Sequence, residues 1–416
     1  MVNILEILGA FGAAGQIVGQ FWWIVLPVAF YFIFKPLWLD HVIKNRLIGL
    51  KNVLIEIIPP KEIEKGPKMM ESFFAGIAGV VVTIGPFEKY LKGDITNIFS
   101  LELVGAEGEV HYYIRMEEKY RNMVEAQIYA QYPDAEIREV EDYVKKFPKI
   151  IPNKDWDLWG TDIMFVMPDP YPIKTYDKFE ESVTGEMIDP MAAIVEVLGR
   201  LTPGQHIWLQ FVTQPLTERW REDEVALIGK LAGKEKKKSK GILGHIGDII
   251  SDVLTAIFKP PEAKKSEKKV EQPLEFRLTP GEKEVLKAVE ENLGKNAFLT
   301  KMRLIYLGRK EGYDKSFIST FFGTLKQFSD LNLNSFKPYD GSKTYAYYLF
   351  KKNRMAYRQR KIYRRYKDRD MSGKKIVFST KEMATVFHFP DMGVMAPTLP
   401  RVESKKGSAP VNLPIG

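Results

Sequence analysis

"SLELVGAEGEVHYYIR", residues 100–115, decides the fold. It reads as strand, glycine-containing turn, strand, which makes a hairpin. Upstream, "VLIEII" (Val53–Ile58) is a strand closed by Pro59 and Pro60. Glu62–Ile77 follows as a helix with Met69, Phe73, Phe74 and Ile77 along one face. Downstream, "EEKYRNMVEAQIYAQYP" is a second helix, facing inward through Tyr120, Val124, Ile128 and Tyr132, and "AEIREV" adds a closing strand. The order βαββαβ over residues 53–142 is the ferredoxin-like plan of an α+β protein.

A second unit of the same order is expected over residues 143–350. Its elements are the strand "DIMFVMP", the helix Met191–Leu201, the strand "QHIWLQFV", the strand "FLTKMRLIYLG", the helix Lys315–Phe328 and a last strand at "TYAYYLF". An insertion over 214–294 interrupts its central hairpin. Helical stretches at Thr217–Leu231 and Pro280–Leu293 flank the linkers "GKEKKKSK" and "KPPEAKKSEKK". Between the linkers, Ile242, Ile246, Ile249, Ile250, Val253, Leu254, Ile257 and Phe258 form one face of a helix, with His245, Asp248, Ser251 and Asp252 opposite. The flanking lysines favour an interfacial membrane helix, whereas Asp248 and Asp252 oppose it. Docking onto a neighbouring domain or subunit is the other reading.

Residues 1–39 read as a membrane anchor. From Ile7 to Phe34 no residue is charged, and as a helix that run reaches about 42 Å, beyond a hydrocarbon core of ~30 Å. Pro27 is expected to kink it and Trp38 to mark its interfacial end. A basic juxtamembrane segment occupies 40–52. The first cations, Lys35, Lys44, Arg46 and Lys51, all follow the span, so a single-pass protein of the cell membrane with a cytoplasmic C-terminal part is expected. Gly15 and Gly19, like Ala10 and Ala14, are small residues four apart, a spacing that supports helix packing and a homo-oligomer. The chain has no cysteine, which excludes disulfides, thiolate nucleophiles and cysteine metal sites.

Catalytic and cofactor motifs are missing. There is no G-x-x-x-x-G-K-[ST] loop and no G-x-S-x-G elbow, and Gly241, Gly244 and Gly247 lack dinucleotide-binding spacing. His41, His111, His206, His245 and His388 are scattered, with none at metal-ligand spacing. The chain therefore reads as a non-enzyme without a cofactor.

Charge is concentrated instead. "KKNRMAYRQRKIYRRYKDR" (Lys351–Arg369), within a basic helix assigned to 351–370, carries ten Lys or Arg against one Asp, a net +9 beside +8 for the whole chain. On a helix, Arg354, Arg358, Lys361 and Arg365 share a face with Arg360, Arg364 and Lys367 beside it, while Met355, Ile362 and Tyr366 turn to protein. Tyr357, Tyr363 and Tyr366 add stacking surface. DNA or another phosphate surface is one partner for this helix; a solvated face, a membrane-facing helix or a dock for an acidic protein are the others. The last segment, 371–416, is a short helix over Thr380–Phe387 and a proline-rich tail. Thr380 is expected as its N-cap, Glu382 as a surface acid, and Met383, Val386, Phe387 and Phe389 as residues that bury into a protein surface, of this chain or of a partner.

Several stretches together carry a resemblance: "IEIIPPKEIEKGPKMMESFFAGIAG", "GEVHYYIRMEEKYRNMVEAQIYAQYPDAEIREVEDY", "FISTFFGTLKQFSDLNLNSFKP" and "FSTKEMATVFHFPD" with "APTLPRVESKKGSAPVNLP". They resemble the membrane-anchored amino-terminal region of type IV secretion-like, conjugative DNA-transfer proteins of uncultivated bacteria and archaea. In that family the terminal helix and proline-containing tail commonly lead into a hexameric FtsK/HerA-type ATPase, or the motor is a separate protein. The resemblance therefore implies a separate ATPase partner reached by the tail, and carries over no catalytic residues; Met383, Val386, Phe387 and Phe389 are the candidate partner-docking residues of the helix before it. The expected function is a non-enzymatic membrane platform that recruits or positions a DNA-translocating ATPase. The alternative is a membrane-tethered, sequence-nonspecific nucleic-acid-binding protein acting without a motor.

Overall fold

The computed structural model describes residues 4–401 except 61–62, 64–65, 83, 180–187, 218–219, 222–223, 225–278 and 392–398. In the N-terminal helix, side chains are described for Trp23 and from Leu26 onward. The amphipathic segment Ile242–Phe258 lies outside the described residues.

The chain is α+β, with a long apolar helix leading into an antiparallel sheet. Helix α1 runs without interruption over Ile4–Ile48, through Pro27 and Pro36. Then come β1 (Asn52–Ile58), α2 (Gly66–Ala78), β2 (Phe99–Ala106), β3 (Glu109–Glu117), α3 (Arg121–Gln131) and β4 (Glu136–Glu139). The second half holds β5 (Trp156–Phe165), α4 (Ala192–Gly199), β6 (Gln205–Pro215), α5 (Pro280–Leu293), β7 (Ala297–Arg309), α6 (Ser316–Leu325) and β8 (Phe336–Pro338). The chain continues through α7 (Lys351–Lys367), β9 (Ile376–Ser379) and α8 (Thr380–Val386).

The strand order is β4-β1-β3-β2-β6-β7-β5-β8, with β9 paired to β7. The opening hairpin turns at Glu107 and Gly108, both at positive φ (54° and 94°). A two-residue connection of that kind matches the right-handed twist of the strands it joins. The join between the halves is the β2–β6 pairing, in register from Phe99 opposite Thr213 to Ala106 opposite His206. The two halves therefore share one sheet.

Alternation along the strands gives that sheet two unlike faces. On one, Leu101, Leu103, Leu209, Phe211, Met302 and Leu304 are buried in the main core with Phe73, Phe74 and Ile77 of α2, Val124 and Ile128 of α3, and Ile194 and Leu198 of α4. On the other, Val104, Trp208, Ile305 and Leu307 pack with Tyr143, Ile362, Tyr363 and Tyr366, so α7 covers part of that face. A polar row crosses this second face in register: Glu56 opposite Tyr113, then Glu102, Gln210, Arg303 and Asp162 on successive strands. Arg303 donates to Asp162 at 3.0 Å and to Gln210 at 3.0 Å, and Gln210 donates to Glu102 at 3.0 Å. Lys301 lies 2.8 Å from Asp162. Arg369, just past α7, closes the row with bonds to both oxygens of Glu102 at 2.9 and 3.1 Å and an ion pair with Asp142. Burial alone pushes the Glu102 carboxyl up, but the Arg369 charge and hydrogen bonds outweigh it and leave the group below the ordinary range.

Three expectations need correction. The last strand of the second half is Phe336–Pro338, paired with Ile163–Phe165, rather than "TYAYYLF". Tyr348 and Phe350 take φ of 65° and 57°, which an extended strand does not permit. The cap of α8 is Ser379, whose hydroxyl accepts from the Glu382 amide in a reciprocal capping box. Glu382 is not a surface acid: it is fully buried. Its oxygens accept from the amides of Ile173 and Ser379 at 3.0 and 2.9 Å.

Burial pushes the Glu382 carboxyl up to about 7, with the amide donors opposing. A carboxyl whose folded value lies above its unfolded one stabilises the fold fully below the unfolded value of 4.5. That contribution is lost as pH rises through about 7. The unfolding temperature of the full chain in detergent is therefore expected to fall across this window, and Glu382→Gln to flatten the fall. Thermal unfolding at stepped pH checks this; an unchanged slope in the variant assigns the dependence elsewhere.

Candidate nucleic-acid interface

The site is built on α7, which rests on the sheet through Gln359, Ile362, Tyr363 and Tyr366. Gln359 donates to the Leu158 carbonyl at 2.6 Å, and Tyr366 meets Tyr143 at 2.6 Å. Those buried positions, spaced three and four apart, turn the cations outward.

The expected contact residues divide into three groups. Arg360, Lys361 and Arg364 have no acidic partner among the described residues, and Arg360 and Arg364 are exposed. Arg354 and Arg358 hold the preceding turn: Arg354 donates to the Tyr347 carbonyl at 2.9 Å, and Arg358 to those of Lys343 and Tyr345 at 3.0 and 2.6 Å. Arg365 pairs with Asp370 at 3.3 Å. Lys367 donates to the Lys149 carbonyl at 2.9 Å and stands 4.6 Å from the Tyr363 ring centre.

The lysine–carbonyl bond draws the segment around Lys149 alongside the helix. Between them lies a cleft of about 290 Å³ lined by Lys149, Ile150, Ile151, Tyr357, Arg360, Lys361, Tyr363, Arg364 and Lys367. Five of the nine lining residues are cationic and none is acidic. On the other flank a cleft of about 470 Å³ is lined by Arg354, Arg358, Lys361 and Arg365, but the first two are engaged by backbone carbonyls and Arg365 by Asp370. The first cleft is therefore the better anion site. Beside the start of α7, the turn Tyr347, Tyr348, Leu349 and Phe350 is exposed, Tyr348 by 90%. Sequence reasoning missed Lys149, which lies far away in the chain with no local signal. It also read the aromatic turn as a strand.

The remaining expected site residues are placed elsewhere. Met383, Val386, Phe387 and Phe389 are buried in this chain's own core, which corrects their assignment to a partner surface. Phe389 stacks edge-on against Tyr112 at 5.1 Å and Tyr132 at 4.9 Å, and Phe387 against Tyr112 and Phe211 at 5.6 and 6.1 Å. These rings fill a gap that the chain itself leaves between α2, β3 and β6. Gly15 and Gly19 fall in the first half of α1. Among the described residues, no group of three or more His, Asp or Glu is placed to hold a metal ion.

Among the described residues, one helix is long and apolar enough to cross a membrane; an 18-residue stretch within Leu26–Ile48 has a mean hydropathy of 1.3, and none of its residues is fully buried. No curated protein matches the chain. A family described as Domain of unknown function (DUF8128) matches it over residues 46–399, from the last turn of α1 through the end of the sheet and α8. The chain belongs to this family of unknown function.

Proposed function

We propose that this is a single-pass membrane protein that binds nucleic acid through phosphates, without reading sequence. The observation that carries the proposal is the acid-free cleft of five cations beside α7, with Tyr357 in its lining for stacking. Phosphate contacts alone do not discriminate sequence. Tethering follows from the uncharged run Ile7–Phe34, with the cations after it placing the sheet on the cytoplasmic side of the cell membrane. As a scaffold, we read each half as a ferredoxin-like unit, since β4-β1-β3-β2 and β8-β5-β7-β6 repeat one order around βαββαβ connections.

Reversing Arg360, Lys361 and Arg364 to Glu tests the reading, because none of the three holds the fold together. DNA binding by the full chain is expected to be lost. Single reversals are expected to reduce the salt slope by about 0.9 per contact on duplex DNA and about 0.7 on single strands. Undiminished binding by the triple variant would remove α7 from the function.

A second reading adds a partner: a separate hexameric FtsK/HerA-type ATPase recruited to the platform. One structural observation favours it, the exposed apolar turn Tyr347–Phe350, which offers a protein contact next to the basic helix. Loss of motor co-purification in a Tyr348→Ser, Phe350→Ser variant that still binds DNA is the result it requires.

A further inference from the structure

The segment after α2 passes through an exposed apolar turn and then runs alongside α1. Asp94 pairs with Arg46 at 3.1 Å. Gly93 lies so close to α1 that a Cβ there would stand 2.6 Å from the Val42 carbonyl oxygen, and its φ of 70° is one glycine adopts freely. Tyr90 accepts from the Trp38 indole at 2.9 Å through its carbonyl, and its ring lies 5.4 Å from the Lys35 ammonium. These contacts climb α1 in order, from Arg46 to Lys35, a rise of about 16 Å. The turn that precedes them, at Phe87, therefore reaches the level where the charged part of α1 gives way to the uncharged run Ile7–Phe34.

What stands at that level is apolar and uncovered. Phe87 is 66% exposed and Leu91, four residues on across a π-helical turn (Glu88–Lys92), is 57% exposed. A turn of that pitch puts both on one side. The acids nearby are already engaged: Glu88 accepts from the Gly85 amide at 3.0 Å, Asp40 pairs with Lys44 at 2.6 Å, and Asp94 pairs with Arg46. Lys89 and Lys92 have no acidic partner among the described residues. Exposed Phe and Leu flanked by free lysines, continuous with a membrane helix, suit the headgroup–acyl boundary of an anionic bilayer.

We propose that Phe87 and Leu91 form a second membrane contact, entering the cytoplasmic interface of the bilayer beside α1. The sheet is then held at two points instead of swinging on one helix. This inference rests on the membrane-anchor reading above. The chain has no cysteine, so single replacements can be labelled cleanly in the full-length protein. Phe87→Cys, Leu91→Cys, Ile33→Cys and Tyr348→Cys, each carrying an environment-sensitive dye, are reconstituted in phosphatidylcholine–phosphatidylserine vesicles containing nitroxide-labelled lipid. Loss of fluorescence at Ile33, Phe87 and Leu91, with none at Tyr348, is expected. Loss at Ile33 with none at Phe87 or Leu91 overturns the second contact and leaves the anchor standing. No loss at Ile33 overturns the anchor, and the second contact with it.

Discussion

Replacing Arg369 by Met is expected to destabilise the protein by about 3–5 kcal/mol, the cost of removing one member of a buried ion pair. The loss does not come from the attraction alone. Arg369 holds Glu102, which is fully buried in the middle of the sheet, and without it that carboxylate sits uncompensated in a medium of low dielectric. The remaining donors, Ser100, Tyr143 and Gln210, supply hydrogen bonds but no charge. Adding Glu102→Gln removes the orphaned charge, so the double variant is expected to recover a large part of the loss. Denaturant unfolding of the full chain in detergent measures both. Equal stabilities for the single and double variants would mean that the charge of Glu102 is not what makes the single change costly.

Phe389→Ala is the second large effect, with an expected cost of about 3–5 kcal/mol for a fully buried aromatic truncated to a methyl. Phe389 is fully buried, and the rings it touches belong to β3 and to Tyr132, just after α3. The same C-terminal segment reaches the other half through β9 on β7 and through Glu382 and Thr385, which accept from the amides of Ile173 and Tyr176. The segment thus stitches the halves together on the helix-covered face. A loss well below 1 kcal/mol in the same unfolding assay would mean that the cavity collapses and that Phe389 is not a keystone.

How far the sequence reveals these features depends on how local their causes are. The hairpin at 100–115 and the helix Pro280–Leu293 are legible, because a glycine turn and a Thr279–Glu282 capping box are encoded within a few residues. The true cap of α8 was legible too: Ser379 stands three residues before Glu382, a spacing that Thr380 does not have. The tyrosine-rich turn has strand composition, and only left-handed backbone at Tyr348 and Phe350 excludes a strand. Arg369 reads as one more surface cation, because its partner Glu102 lies 267 positions away in the chain. The basic helix itself was legible from its charge. Which of its cations are free was not, since Arg365 and Lys367 are engaged by Asp370 and by the segment at Lys149, contacts made only in the folded chain.

The salt dependence of DNA binding by the full chain, held in nanodiscs of neutral lipid, tests the central claim most directly. Neutral lipid removes competition between headgroups and DNA for the same cations. With the four free cations of the cleft, Lys149, Arg360, Lys361 and Arg364, on phosphates, the logarithm of the affinity for single strands is expected to fall with the logarithm of salt at a slope of about −2.8, alike for two unrelated sequences. A slope near zero, or a slope and affinity that depend on sequence, would contradict the claim that this helix binds nucleic acid through its phosphates.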